Sequence, residues 1–451
     1  MFQSEPGMIF VARKGSPLII GIGKGEVFVA SDAAALVNYT RKVIYLDDGE
    51  IGQIRPDKVE ISQIGKGQIK KDWSKIDWSL EKTKKQGYPH FMLKEIMEQP
   101  LSVKDSIRGR TQKFILENSD FILGGLSNVR ERLKKINKVI IVSCGTSYYA
   151  GLVGKYMLEE YAGVPTEVDY ASEFRYRKPI ITPKTAVLAI SQSGETADTL
   201  EAIREAKLKN ALTLGIVNVV GSTIAKETDA GIYNHAGPEI GVASTKAFTS
   251  QLAILALLTL VLGRQRTMSF VMGRRIALEL EKIPTLIEKI LKKKAEIKRI
   301  VQKYQQIQNC FFLARKYNCP IAFEGALKTK EVSYIHAEGY PAGEMKHGPI
   351  ALIDQNFLSV FIAPNDSVYA KVLSGMEEVK AREGKIWAIA TQGDKKIAKI
   401  ADDVFYIPKT LEMLTPILSV IPLQLFAYYL GTAKGYDVDK PRNLAKSVTV
   451  E

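Results

Sequence analysis

Cysteine is scarce in this sequence and histidine nearly as scarce, with three of one and four of the other in 451 residues. Cys144, Cys310 and Cys319 are scattered and odd in number. They offer neither a disulfide framework nor the spacing of a zinc site. A reducing, cytoplasmic setting is therefore expected. His90, His235, His336 and His347 have no metal-ligand spacing either, so neither a metal nor another cofactor is expected. Long apolar runs are also lacking. The longest, Leu252 to Leu262, is interrupted by Thr259 and is too short to span a bilayer, so it predicts a buried core helix. Met1 to Pro6 carry no basic segment and no long apolar stretch follows at once. Neither a secretory signal nor a membrane partner is expected.

Charge, in contrast, is abundant and unbalanced: 63 basic against 49 acidic residues give a net +14. The excess is spread along the chain. Runs such as Lys82-Thr83-Lys84-Lys85 and Lys292-Lys293-Lys294 have no interleaved aromatics to stack bases, which argues against a nucleic-acid partner. A solvated surface that attracts anionic substrates is the simpler reading. With 46% hydrophobic residues the chain can bury a large core, and its length suits two to four domains.

Residues 1–72 read as β-rich. Met8 to Ala12, Leu18 to Ile22 and Val43 to Leu46 are short apolar runs, and Gly15-Ser16-Pro17 and Asp47-Asp48-Gly49 are turns between them. Trp73 to Gly87 is charge-rich and reads as a linker, followed by a helix from about Phe91. From residue 138 strands and helices alternate. Lys138 to Val142, Ala186 to Ile190 and Leu212 to Val217 predict parallel strands with helices on both faces. The order then recurs in Phe311 to Ala314, Ser359 to Ala363 and Ile386 to Ala390. Placing Val187 on Val360 carries Ile190 onto Ala363, so the strand ends coincide and a duplicated α/β domain is expected. The 270–300 segment reads as helical and joins the copies.

The strand at 186–190 runs straight into Ser191-Gln192-Ser193-Gly194-Glu195-Thr196 and then into a helix. In a parallel sheet ligands bind beyond the C-terminal strand ends, where a following helix offers free N–H groups. Gly194 would let the backbone approach an anion, and Ser191, Ser193 and Thr196 would add hydroxyls. No Walker lysine is present, which disfavours a nucleoside triphosphate. Cys144-Gly145-Thr146-Ser147 is a second such junction. Either alone would be read as a Ser/Thr helix cap; two in one sheet point to a site. The equivalent loop of the second copy, Pro364-Asn365-Asp366-Ser367, carries a carboxylate that would repel phosphate. A phosphorylated sugar held by the first copy is the reading.

These residues, with Tyr88 to Pro100, Ala171 to Arg177, Gly241 to Thr249, Glu324 to Glu331, Lys346-His347-Gly348-Pro349 and Pro441 to Glu451, closely resemble the isomerase part of the glutamine–fructose-6-phosphate aminotransferase (glucosamine-6-phosphate synthase) family. The resemblance implies an α/β fold of two duplicated sugar-isomerase (SIS) domains with a β-rich N-terminal remnant of a glutaminase domain. The implied boundaries are a partial glutaminase unit at 1–72, a linker and helical segment at 73–127, SIS domains at 128–268 and 301–440, a helical connector at 269–300, and a catalytic tail at 441–451. It implies conversion of fructose 6-phosphate to glucosamine 6-phosphate, in amino-sugar biosynthesis. Glu331 would carry the proton between C1 and C2, assisted by Lys328. His347 would open the sugar ring, reaching the site of the neighbouring subunit of a homodimer. Lys446 would form an imine with the open-chain sugar. Thr146, Ser147, Ser191, Gln192, Ser193 and Thr196 would bind the phosphorylated sugar, with Val242 and Ala445 contacting it through their backbones. Carboxylate, histidine and lysine suit these steps chemically. His90, His235 and His336 are given structural roles.

Relatives begin their glutaminase with a cysteine nucleophile, whereas this sequence begins Met1-Phe2-Gln3 and its first cysteine is Cys144. The 451 residues are therefore expected to use free ammonia at best, or ammonia derived from glutamine by a separate glutaminase subunit. Without its other strands, 1–72 would expose strand edges. Two alternative functions fit the same motifs: an SIS-type sugar-phosphate isomerase or fructosamine deglycase, and a non-catalytic sugar-phosphate sensor. The N-terminal remnant speaks against the first, and the sensor would not need Glu331.

Overall fold

The computed structural model describes residues 5–14, 18–31, 33–37, 39–75, 84–117 and 121–448. The expected turn at Gly15-Ser16-Pro17 and the last three residues of the tail lie outside these.

Two antiparallel sheets build the N-terminal unit. In one, Glu50–Arg55 lies between Ile9–Ala12 and Lys58–Gln63, with Gly67–Ile69 at the edge. In the other, the order is Val27–Ala30, Ile19–Ile22, Lys42–Tyr45 and Ser74–Lys75. Ile20, Ile44, Leu46, Ile54 and Ile61 form a core shared by the two sheets. The start of the expected linker is corrected here. Ser74–Lys75 pairs with the edge of Lys42–Tyr45, and Trp73 adds a cation–π contact, its ring centroid 4.8 Å from the Lys42 ammonium.

The duplication expected from the strand alignment is present, with more strands than the sequence disclosed. The first sheet contains β1 (Lys138–Ser143), β2 (Thr166–Tyr170), β3 (Thr185–Ser191), β4 (Leu212–Val217) and β5 (Ala230–Tyr233), all parallel, in the order β2-β1-β3-β4-β5. The second contains β6 (Asn309–Ala314), β7 (His336–Pro341), β8 (Leu358–Ala363), β9 (Lys385–Thr391) and β10 (Asp403–Ile407), in the equivalent order β7-β6-β8-β9-β10. The strands that sequence missed are the four outer ones. Each has a half-exposed face and mixes polar with apolar residues, whereas β3, β4 and β8 are buried throughout and read as apolar runs.

Five helices position the site. They are α1 (Gly145–Ala162) after β1, α2 (Ala197–Leu208) after β3, α3 (Lys246–Arg264), α4 (Cys319–Ser333) after β6, and α5 (Thr415–Ala433). The core helix expected at 252–262 is the middle of α3. By length and composition α3 and the segment containing α5 could cross a membrane, but both are buried inside the fold. α4 packs against α5 and also against α1, so the two SIS units meet along α1 and α4. One apolar cluster runs through both. The connector comprises helices Phe270–Leu291 and Lys294–Tyr304.

Candidate active site

In the order β2-β1-β3 successive strands are added on opposite sides of β1, so the strand order switches between β1 and β3, the point at which open α/β sheets bind ligands. Both hydroxyl-rich junctions sit there. A cavity of about 150 Å³ is lined by Cys144, Thr146 and Ser147 from the first junction and by Ile190, Ser191, Gln192, Ser193 and Thr196 from the second, with Val242, Ser244 and Lys446. Six expected phosphosugar contacts, Val242 and the tail lysine thus share one cleft. Ala445, Glu331, Lys328 and His347 do not line it. A larger cavity, about 370 Å³, opens at the N-terminal ends of β6, β7 and β8, among Gln308, Asn309, His336 and Phe357. It contains none of the expected residues.

The loop after β3 is held by its own hydroxyls. Gly194 N–H donates to Ser191 Oγ (2.9 Å) and Glu195 N–H to Ser193 Oγ (3.1 Å). A hydroxyl that accepts in this way still has its own proton to give an anion. Thr196 occupies the N-cap position of α2 but makes no side-chain capping bond, and its Oγ1 lies 3.3 Å from Ser191 Oγ. Simple helix capping therefore does not account for it. Gly194 has φ +69°, and a Cβ there would fall 2.1 Å from Ser222 Oγ, so glycine is required by conformation and by packing alike. One expectation needs correction: the first amide of α2 is not free. Ala197 N–H donates to Val448 O (3.2 Å), because the tail folds back and satisfies an otherwise orphaned helix-end donor.

The tail also brings in its lysine. Lys446 Nζ donates to Gly241 O (2.7 Å) and to Glu239 Oε2 (3.1 Å). Glu239 is buried and accepts from Ser244 Oγ and from the N–H groups of Thr245 and Ala247. Burial works against its charge, but Lys446 and these donors hold its pKa below the ordinary carboxylate value. Glu95, which accepts from Ile240 and Gly241 N–H, is pushed up to about 8 by burial and by the Glu239 charge.

Glu331 reaches the cleft through a relay across the seam. Thr146 Oγ1 donates to Glu324 Oε1 (3.2 Å), Lys328 Nζ lies 3.7 Å from the same oxygen, and Lys328 bonds Glu331. Three residues of α4, at steps of four and three, thus share one face. Lys328 is 1% exposed, so this is no surface salt bridge. Burial opposes its charge, and the carboxyls of Glu324 and Glu331 more than offset that, raising its pKa. Burial drives Glu324 up to about 8 against the pull of Lys328. The sequence reading missed Glu324, Glu239 and Glu95. The spacing Glu324/Lys328/Glu331 could have given the first; nothing local marks the other two.

His347 is exposed, in the turn before Gly348, and is absent from the cleft lining. In the second copy, the loop after β8 faces two carboxylates. Ser367 Oγ donates to Glu412 (2.7 Å), and Asp366 is pushed up to about 6 by burial. Of the other histidines, His90 Nδ1 lies 2.9 Å from Tyr428 Oη and His336 Nε2 lies 3.3 Å from Glu338. Among the described residues no His, Cys, Asp or Glu cluster could hold a metal.

The SIS domain family matches residues 132–261 and 303–433. The glutamine–fructose-6-phosphate aminotransferase (isomerizing) of Chlorobaculum tepidum is 52% identical over 447 residues, 99% of this chain and 72% of its own length. That of Aquifex aeolicus is 50% identical over the same shares. The solved C-terminal domain of glucosamine-fructose-6-phosphate aminotransferase from Francisella tularensis superposes with TM-score 0.74 at 41% identity, covering 79% of this chain and all of that one. With two SIS units, a hydroxyl-lined cleft at the switch point and this likeness over nearly its whole length, the chain belongs to the glutamine–fructose-6-phosphate aminotransferase (isomerizing) family.

Proposed function

We propose that the cleft binds fructose 6-phosphate and that the chain converts it, with ammonia, to glucosamine 6-phosphate. The observation that carries this reading is the presence of Lys446 in the same cavity as the Ser191–Thr196 loop. The phosphate is held by Thr146, Ser147, Ser191, Gln192, Ser193 and Thr196, and the backbones of Val242 and Ala445 contact the sugar. Lys446 gives up its bond to Glu239 to attack the C2 carbonyl, forming an imine and releasing water. Ammonia then displaces the lysine at C2. Glu331, oriented by Lys328, takes a proton from C1 and returns it to C2, while the imine nitrogen gains a proton and the O1 hydroxyl loses one, which leaves the amino-aldose. His347 opens the ring from the neighbouring subunit of a homodimer; its exposure and its absence from the cleft lining of its own chain support that assignment. The antiparallel N-terminal unit is the late part of a glutaminase fold. A cytoplasmic setting is supported by Cys144, Cys310 and Cys319, all free thiols.

The test is product formation by the 451-residue polypeptide from fructose 6-phosphate and an ammonium salt. Glu331→Gln is expected to lower turnover by about 10²–10⁴-fold while leaving sugar-phosphate binding in place. Wild-type protein that binds the sugar but forms neither glucosamine 6-phosphate nor glucose 6-phosphate would be a sensor, and the proposal would fall.

A further inference from the structure

The N-terminal unit touches the first SIS unit at the back of the phosphate loop, and it does so with a buried arginine. Arg13 is only 6% exposed although it follows an edge strand. Its guanidinium bonds Leu46 O within its own unit and Thr223 Oγ1 (2.5 Å) across the boundary. Its Nη2 lies 3.6 Å from Glu195 Oε2, and its Nε lies 3.2 Å from Asp48. Glu195 belongs to the loop that lines the cleft, but its side chain does not line the cavity. The carboxylate points away and accepts from Thr223 N–H at 2.9 Å. Gly194 O accepts from Ile224 N–H (3.0 Å) on the same neighbouring turn. The loop is therefore clamped from behind by the start of the helix Thr223–Glu227, and Arg13 faces both halves of the clamp, donating to Thr223 and standing as an ion-pair partner 3.6 Å from Glu195. Asp47–Lys226 (3.1 Å) and Asp48–Arg204 (3.7 Å) ring the contact.

A largely buried carboxylate on an anion-binding loop is an electrostatic problem. In a medium of low polarisability its field would oppose a phosphate dianion. Burial already pushes the Glu195 carboxyl up, with Thr223 and Arg13 acting against that. We infer that Arg13 is a positioning residue for the phosphate loop: by pairing with Glu195 it fixes the loop's shape and cancels the one negative charge the loop carries. The N-terminal unit thereby contributes to sugar-phosphate affinity without touching the sugar. The inference rests on the loop's being the phosphate anchor, and it adds a residue more than 170 positions distant in sequence to that anchor.

The test is calorimetric titration of the full chain with fructose 6-phosphate and, separately, with inorganic phosphate, beside kcat and KM. Arg13→Gln keeps an amide for Leu46 O and Thr223 but removes the charge. It is expected to weaken both ligands by about tenfold, raising KM with kcat within about twofold. Arg13→Lys should recover most of the loss. The double variant Arg13→Gln/Glu195→Gln should bind better than Arg13→Gln alone, because no carboxylate is left uncompensated. A purely structural Arg13 would lower the melting temperature and leave the affinities unchanged. That result, or a double variant no better than Arg13→Gln, overturns the inference. Wild-type protein that binds neither ligand would overturn the phosphate site itself, and the inference with it.

Discussion

At the scale of single residues the site depends on acids kept out of water. Glu324 is fully buried, and burial raises its pKa to about 8 while Lys328 pairs with Glu331. The sign of its pH effect follows directly. An unfolded glutamate releases its proton near 4.5, so between that value and about 8 the folded state binds the extra proton. Its contribution to stability therefore falls as pH rises through this window. Glu95, also raised to about 8, contributes in the same direction. Glu324→Gln, which keeps a neutral hydrogen-bonding group, is expected to flatten the fall of melting temperature between those limits without abolishing it. An unchanged slope in the variant would mean that Glu324 is ionised in the folded protein. Such acids are invisible to sequence reading because their chemistry comes from depth. Nothing within ten residues of Glu239 announces that Lys446 will bond to it.

At the scale of elements, the position of α4 decides where Glu331 stands. α4 and α5 approach closely because glycine occupies both sides of the contact. A Cβ on Gly325 would meet Leu423 at 2.7 Å, and one on Gly431 would meet Val332 O at 2.4 Å, next to Glu331. Gly431→Ala must push α5 off the end of α4. The expected cost is roughly 1–3 kcal/mol of stability, and turnover should fall further than sugar-phosphate affinity, because the phosphate loop lies on the other SIS unit. Chemical denaturation beside calorimetric titration checks both; equal loss of turnover and affinity would contradict the placement. The elements that were legible in the sequence were those in uniform surroundings. β3 and β8 are buried on both faces and read as apolar runs, which made the duplication visible. The outer strands, such as His336–Pro341, follow neither an apolar nor a strictly alternating pattern. The Ser191–Thr196 loop stood out because a second hydroxyl-rich junction, Cys144 to Ser147, follows another strand of the same sheet, and the two line one cavity. The loop's occupancy by the tail carbonyl of Val448 was not legible, since that contact joins residues at opposite ends of the fold.

At the scale of the whole molecule, the proposed function needs two chains for one complete site. His347 is exposed and absent from the cleft lining, whereas Glu331 joins the cleft through Thr146, Glu324 and Lys328 of the same chain. Mixing Glu331→Gln with His347→Ala protein after dissociation is therefore expected to restore about a quarter of wild-type activity, since half the dimers are mixed and each has one intact site. Activity no greater than that of the separate variants would place His347 in its own chain's site. The central claim, that the hydroxyl-lined cleft and the returning tail form one sugar site, is tested most directly by trapping. The protein is incubated with fructose 6-phosphate, reduced with borohydride, digested and analysed by mass spectrometry. The account predicts a reduced sugar-phosphate adduct on Lys446, lost in Lys446→Arg. Sugar phosphate that binds but leaves Lys446 unmodified, or an adduct on a lysine outside the cleft, would contradict it.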